Sequence, residues 1–90
     1  MRRVHVIVSG RVQGVFFRGA THARMRAMEL SGWVRNLPDG RVEAVVEGDD
    51  ARIAEAIRFF WRGPPHAVVE SVEVVDEPCT GERGEFEFRR

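Results

Sequence analysis

Residues 10–18 have the composition that a phosphate-binding segment needs. Gly10 and Gly14 allow backbone conformations with positive φ, in which successive N–H groups can point into one concavity. A helix that follows them would add unpaired N–H groups and a partial positive charge. Arg18, at the start of that helix, can place a two-pronged guanidinium on phosphate oxygens. The segment could therefore form a phosphate cradle that uses no metal ion, in which Arg18 is joined by the backbone amides of Gly10, Arg11, Val12, Gln13, Gly14, Val15 and Phe16.

Other phosphate-binding motifs fit this segment less well. It lacks the Gly-Lys-Ser/Thr ending of a Walker loop, and the chain contains no lysine. No cysteine precedes Arg18, whereas a cysteine phosphatase loop requires one shortly before its arginine, so we expect no covalent phosphoenzyme. From the spacing alone, a glycine-rich turn followed by an exposed arginine is favoured over an anion site.

Asn36 is the second residue with a potential chemical role. It lies near the predicted end of a strand, just before the turn sequence Pro38-Asp39-Gly40. An asparagine in that place ordinarily caps the turn. Its amide can also donate and accept hydrogen bonds, so it could hold a water molecule in line with a phosphorus atom. Thr21, one helical turn after Arg18, is expected to pack, with a supporting hydrogen bond to the site as the alternative.

The hydrophobic pattern predicts the strands and helices that would position these residues. Alternating apolar and polar residues indicate strands, and apolar residues at a spacing of three and four indicate helices. Residues 48–50 offer N-cap chemistry for the second helix. The predicted strands cover residues 3–9, 33–37, 41–47, 68–75 and 85–89, and the predicted helices cover residues 18–29 and 51–61.

This order of elements predicts an α+β fold, a ferredoxin-like βαββαβ sandwich. Two helices would cover one face of an antiparallel sheet of four to five strands. Val4, Val6 and Val8 would share one face of the first strand. Glu43 and Glu47 share the other side of the third strand, where we expect solvated carboxylates rather than a paired acid–base site.

The composition limits the kind of protein this can be. The 90 residues give room for one domain, residues 1–90, with a net charge of zero and a pI of about 6.8. Neutrality and the lack of aromatics on the central strands argue against nucleic-acid binding. The single cysteine, Cys79, permits no intrachain disulfide. With no signal peptide or membrane-length apolar run in the sequence, we expect a cytoplasmic protein that contacts no membrane.

The chain resembles the acylphosphatase family over essentially its whole length. Residues 10–18 match the first signature of that family, and residues 32–36 match the second. Glu29 departs from the family pattern, which often has glycine at the end of the first helix. Further positions resemble the family at Gly40, Val42, Gly48, residues 63–67 and residues 86–89.

The resemblance implies a metal-independent hydrolase that cleaves acyl phosphates into a carboxylate and inorganic phosphate. Arg18 matches the family's phosphate-binding arginine, residues 10–16 its anion cradle, and Asn36 the asparagine that orients the attacking water. It implies no cofactor, a small-molecule acyl phosphate as substrate, inorganic phosphate or sulfate as a site ligand, and a monomer. The alternative is a non-catalytic module that binds acyl phosphates or other anions.

Overall fold

The computed structural model describes residues 1–81 and 83–90, which form five strands and two helices. Every predicted element is present, and no end differs from its predicted position by more than two residues. The elements are β1 (Arg2–Arg11), α1 (Phe17–Ala27), β2 (Ser31–Asn36), β3 (Val42–Gly48), α2 (Asp50–Arg62), β4 (Val68–Glu77) and β5 (Glu87–Phe88).

The strands form one sheet in the order β4-β1-β3-β2-β5. The first four strands pair antiparallel, but β5 pairs parallel with β2, so the predicted antiparallel sheet is in fact mixed. The reason is the path of the chain. β4 finishes beside the beginning of β1, and the chain then passes along that same end of the sheet to the opposite edge. From there β5 can only run in the direction of β2.

The core lies between the sheet and the two helices, as the alternation of valines predicted. Val4, Val6 and Val8 of β1 are fully buried and belong to the same cluster as the apolar residues of the helices. Burial of such side chains is the main stabilising contribution to a domain of this size. The helices contribute Phe17, Met25, Ile53, Ala56, Phe59 and Phe60 to the core.

Among the described residues, no helix is both long and apolar enough to cross a membrane.

The helix ends follow local chemistry. The carboxylate of Asp49 accepts a hydrogen bond from the Arg52 amide at 2.8 Å and caps α2, as residues 48–50 predicted. After α1, Glu29 adopts a left-handed conformation with φ 56°, which explains the glycine that the family pattern often has there. A side chain in this conformation costs about 1 kcal/mol.

Glu47 is buried, which corrects the expectation of a solvated carboxylate. Its side chain accepts hydrogen bonds from Arg3 Nη1 at 3.0 Å, from the Thr80 amide and hydroxyl at 3.1 Å, and from the Gly81 amide at 2.9 Å. Burial raises the pKa of this carboxyl, but the four donors outweigh that effect and hold the pKa below its ordinary value. The segment after β4 therefore folds over this end of the sheet, where the sequence pattern alone indicated solvent.

Glu43, four residues earlier on β3, is also paired rather than solvated. Its carboxylate lies 2.6 Å from His5 Nε2 and accepts a hydrogen bond from Arg35 Nε. Burial raises the pKa of Glu43, and the bonds to His5 and Arg35 more than offset it, so the pKa is lowered. Glu43 and Glu47 thus have separate partners and do not form an acid–base pair.

Candidate active site

The predicted cradle begins inside a strand. Gly10 and Arg11 pair with Val69 and Val68 of β4, just after a register shift between Ser9 and Gly10. Gly10 has φ 124°, and a β-carbon there would stand 2.2 Å from the carbonyl oxygen of Val68. Only glycine allows this close approach. Gly10 and Arg11 therefore fix where the loop leaves the sheet, and the loop proper covers residues 12–16.

Residues 12–16 turn the chain from β1 into α1. Val12 is buried in the core and Val15 packs against it, so two apolar side chains anchor the loop. Gly14 lies between them with φ 73°. Phe16 also has a left-handed backbone, with φ 63° and ψ 24°, and occupies the N-cap position of α1. This conformation is strained for a phenylalanine, which points to a functional constraint on the turn.

The N-terminus of α1 is suited to hold an anion. The helix begins at Phe17, one residue earlier than predicted, so Arg18 lies in its first turn. No side chain caps this end, and the first turn contains no acidic residue. The first amides of a helix have no intrahelical acceptor, and the helix dipole adds a partial positive charge there. A phosphoryl group could therefore take the place of a cap.

Arg18 and Asn36 line one pocket, of about 240 Å³, although they come from different elements. Asn36 is the last residue of β2 and reaches the pocket from the sheet, whereas Arg18 reaches it from α1. The predicted site residues Gln13, Gly14, Val12 and Phe16 also line it, whereas Gly10, Arg11, Val15 and Thr21 do not. The remaining lining comes from Phe17, Gly19 and Phe88.

The guanidinium of Arg18 is exposed and has no carboxylate partner among residues 1–81 and 83–90. Its Cζ atom lies 5.5 Å from the centroid of the Phe88 ring. Arg35, in contrast, is bound to Glu43. Arg18 can therefore pair with an incoming anion without first breaking an ion pair.

Two buried side-chain oxygens lack a hydrogen-bond partner among the described protein atoms. They are Oδ1 of Asn36 and Oγ1 of Thr21. Leaving such an oxygen unpaired costs about 1–3 kcal/mol, so each calls for a partner. Asn36 itself lines the pocket, where its side-chain amide can hydrogen-bond a water. Thr21 is fully buried on the sheet side of α1, consistent with its expected packing role.

The side chain of Gln13 has a role that the sequence reasoning missed. Its Nε2 donates to the carbonyl oxygens of Leu37 at 2.8 Å and Arg41 at 3.0 Å. These bonds join the loop of residues 12–16 to the turn between β2 and β3, immediately beyond Asn36. The only signal in the sequence is a long amide side chain placed between Val12 and Gly14.

Two aromatic side chains at the pocket were also missed. Phe16 and Phe88 line it and stay largely exposed, and sequence reasoning considered Phe16 only for its amide and Phe88 only as a family position. Alternation could not have indicated Phe88, since it places this ring on the same face as Phe86, which is buried. As for metal ions, the described part of the chain contains no group of three or more His, Cys, Asp or Glu side chains placed to bind one.

Comparison with known proteins gives a consistent result across the chain. The family model described as Acylphosphatase matches residues 4–88. A relative named acylphosphatase from Rubrobacter xylanophilus is 58% identical over 88 residues, which is 98% of this chain and 80% of the relative.

Solved structures agree with the sequence comparison. The crystal structure of acylphosphatase from Bacillus subtilis is similar with a TM-score of 0.94 and 31% identity, covering 100% of both chains. The structure of an acylphosphatase from Coxiella burnetii is similar with a TM-score of 0.90 and 38% identity, covering 98% of this chain and 92% of that one.

Proposed function

Because the chain belongs to the acylphosphatase family, whose members hydrolyse the carboxyl–phosphate bond of acyl phosphates, we propose that the pocket of Arg18 and Asn36 carries out this reaction. The observation that carries the proposal is the convergence of an unpaired arginine, an uncapped helix N-terminus and the side-chain amide of Asn36 on one pocket. The first two attract a phosphoryl group, and the third can hold a water beside it.

Arg18 and the backbone amides bind the phosphoryl group of the substrate. The amides of the loop and of the first turn of α1 point their positive ends at the phosphate oxygens, and the guanidinium adds two parallel hydrogen bonds. Charge spreads over these oxygens as the bond to the leaving group weakens. The same groups then stabilise the transition state without having to reorganise.

Asn36 positions the attacking water. Its side-chain amide hydrogen-bonds the water and directs the water's lone pair at phosphorus, opposite the leaving oxygen. The oxygen of water forms the new bond to phosphorus as the bond from phosphorus to the carboxylate oxygen breaks. The proton of the water passes to an oxygen of the phosphoryl group. Because the leaving group is a carboxylate, no general acid is required.

The remaining features of the proposal concern the protein as a whole. We propose that residues 1–90 act as one domain, as a monomer, and in the cytoplasm, without a metal ion or other cofactor. The match to the family model over residues 4–88 supports the single domain, and the exposed thiol of Cys79 supports a reducing compartment. Inorganic phosphate or sulfate is expected to bind the same pocket as a competitive ligand.

Hydrolysis of benzoyl phosphate in the presence of excess EDTA tests this function. The wild-type protein is expected to remain active, and both Arg18→Ala and Asn36→Ala are expected to lose about 10²-fold or more of that activity. Arg58→Ala is the matched control, since this exposed arginine of α2 does not line the pocket and its replacement should leave the rate unchanged.

The outcome that would contradict the proposal is a folded wild-type protein without activity. Titration with inorganic phosphate and carbamoyl phosphate would then show whether the chain is an anion-binding module. Loss of activity in EDTA would contradict the metal-independent reaction instead.

A further inference from the structure

We propose that the rings of Phe16 and Phe88 form an acyl-group subsite beside Arg18, and that the protein prefers acyl phosphates whose acyl group is aromatic. The inference rests on the proposed function, because it assigns the part of the same site that receives the acyl group. It concerns two side chains that neither bind the phosphoryl group nor hold the water.

These two rings are exposed where the other phenylalanines are not. Phe16 is 76% exposed and Phe88 is 53% exposed, although both line the pocket. The remaining four, Phe17, Phe59, Phe60 and Phe86, are buried. Burying the apolar surface of an aromatic ring against another apolar group is favourable, and an exposed ring lacks this stabilisation. Two of them at the mouth of one pocket indicate a ligand with an apolar surface.

The ring of Phe16 is held at the pocket by the backbone around it. Its left-handed conformation directs the chain so that the side chain lies over Gly19 of α1. A β-carbon on Gly19 would stand 2.3 Å from Cε1 of the ring, so any larger residue would push the ring away. The strained backbone of Phe16 and the glycine inside α1 are both locally unfavourable. Together they keep the ring of Phe16 beside the pocket.

The ring of Phe88 is held by stacking on α1. Its centroid lies 4.0 Å from that of the His22 ring, with an interplanar angle of 11°. One face of Phe88 is therefore covered, and the ring keeps half of its surface in solvent through its other face and edges. Arg18 Cζ lies 5.5 Å from the same centroid. A phosphoryl group bound to Arg18 consequently has this ring as a direct neighbour.

An aromatic acyl group fits the space that the two rings border. The phosphoryl group is held by the loop and by Arg18 at the base of the pocket, so the acyl group must leave through its mouth, past Phe16 and Phe88. A phenyl ring there can bury its faces and edges against both side chains. An acetyl or carbamoyl group is too small to cover them. The preference should thus come from the acyl contact and not from the phosphate contact.

The experiment compares kcat/KM for benzoyl phosphate with kcat/KM for acetyl phosphate in each variant. We expect this ratio to fall about fivefold to tenfold in Phe16→Ala and in Phe88→Ala, the effect of losing a few tens of Å² of buried apolar contact. The inhibition constant of inorganic phosphate is measured alongside. The fold decrease in the ratio should exceed the fold increase in this inhibition constant. Damage to the phosphate cradle alone would lower kcat/KM for both substrates equally and would leave their ratio unchanged.

Two controls make the comparison specific. Trp61→Ala removes another half-exposed aromatic, which lies on α2 away from the pocket, and should leave the ratio unchanged. His66→Ala alters a neighbouring depression of about 550 Å³ that shares Phe16, and should also leave it unchanged. Gly19→Ala displaces the ring of Phe16 without removing it and should lower the ratio, which provides a second test if Phe16→Ala folds poorly.

A ratio within twofold of the wild-type value in both phenylalanine variants would overturn the subsite. A fall in His66→Ala without a fall in Phe88→Ala would also overturn it, because the acyl group would then lie in the neighbouring depression. Failure of the proposed function is distinguishable from both, since the wild-type protein would hydrolyse neither substrate.

Discussion

The chain contains arginine but no lysine, and at position 18 the two side chains would bind a phosphate differently. A guanidinium is planar and presents parallel N–H groups that match two phosphate oxygens at once. It can also lie against an aromatic ring, as Arg18 does against Phe88. An ammonium offers a point charge without that geometry. The role proposed for residue 18 therefore depends on shape as well as on charge.

Arg18→Lys tests this dependence. We expect kcat/KM for benzoyl phosphate to fall about 10²-fold, because a lysine keeps the charge and loses the fork. The measurement is steady-state hydrolysis, with circular dichroism to confirm folding. Near wild-type activity in Arg18→Lys would show that charge alone is sufficient and would remove the bidentate role.

Asn36→Ala tests the water-positioning role. We expect kcat to fall by about 10²–10³-fold while the inhibition constant of inorganic phosphate changes little, since the phosphoryl group is held by other residues. Steady-state rates and phosphate inhibition separate the two effects. An increase in KM with an unchanged kcat would assign Asn36 to substrate binding instead.

At the scale of elements, the two helices begin in opposite ways. α2 has an aspartate cap that accepts from the Arg52 amide, and a second aspartate in its first turn complements the helix dipole. α1 has neither, and its cap residue, Phe16, is bent into the left-handed region. The free amides at the start of α1 and the loop before it form one concave surface. The side chain of Gln13 joins this loop to the turn between β2 and β3.

Gln13→Met tests this connection between the loop and the β2–β3 turn. The variant keeps the length of the side chain and removes both hydrogen bonds, so we expect about 1–2 kcal/mol less stability and about tenfold lower kcat/KM. Urea denaturation and steady-state kinetics measure the two effects. Arg41→Ala is the control, because it leaves the Arg41 carbonyl, and thus the bond to Gln13, in place. Equal kinetics in Gln13→Met and wild type would contradict an aligning role.

At the scale of the whole molecule, Glu47 connects the beginning and the end of the chain. It binds Arg3 of β1 and the segment of Thr80 and Gly81 that follows β4. That segment leads to β5, which carries Phe88 to the pocket. One buried carboxylate therefore helps to fix the path by which the last residues reach the site.

Glu47→Gln tests how much this network stabilises the fold. We expect a loss of about 3 kcal/mol at neutral pH, because the amide cannot satisfy the four donors that face the carboxylate. Since the pKa of Glu47 is lowered by folding, the wild-type advantage is fully present above the ordinary value of 4.5 and is lost as pH falls through the folded pKa.

Urea denaturation at about pH 7 and about pH 3 measures this difference. The gap between wild type and Glu47→Gln should narrow at the lower pH. Glu73→Gln, at an exposed position of β4, is the control and should show almost no gap at either pH. A gap of constant size would mean that the stabilisation does not depend on the ionised carboxylate.

The sequence by itself determined the order of the elements, the faces of the strands and the two residues proposed for catalysis. Periods of two and of three to four residues are set by local backbone geometry, so Val4, Val6 and Val8 could be assigned to the core directly. Arg18 and Asn36 could be named because each lies at a boundary between elements and matches a specific family signature.

Only the tertiary structure decided what depends on chain segments far apart in sequence. The parallel pairing of β5, the burial of Glu47 by Thr80 and Gly81, and the bonds of Gln13 to Leu37 and Arg41 all involve partners that no local pattern specifies. The same holds for Phe88, which is an ordinary strand residue until β5 places it beside Arg18. Local periodicity fixes the direction of a side chain, whereas its partners are fixed by which segments the fold brings together.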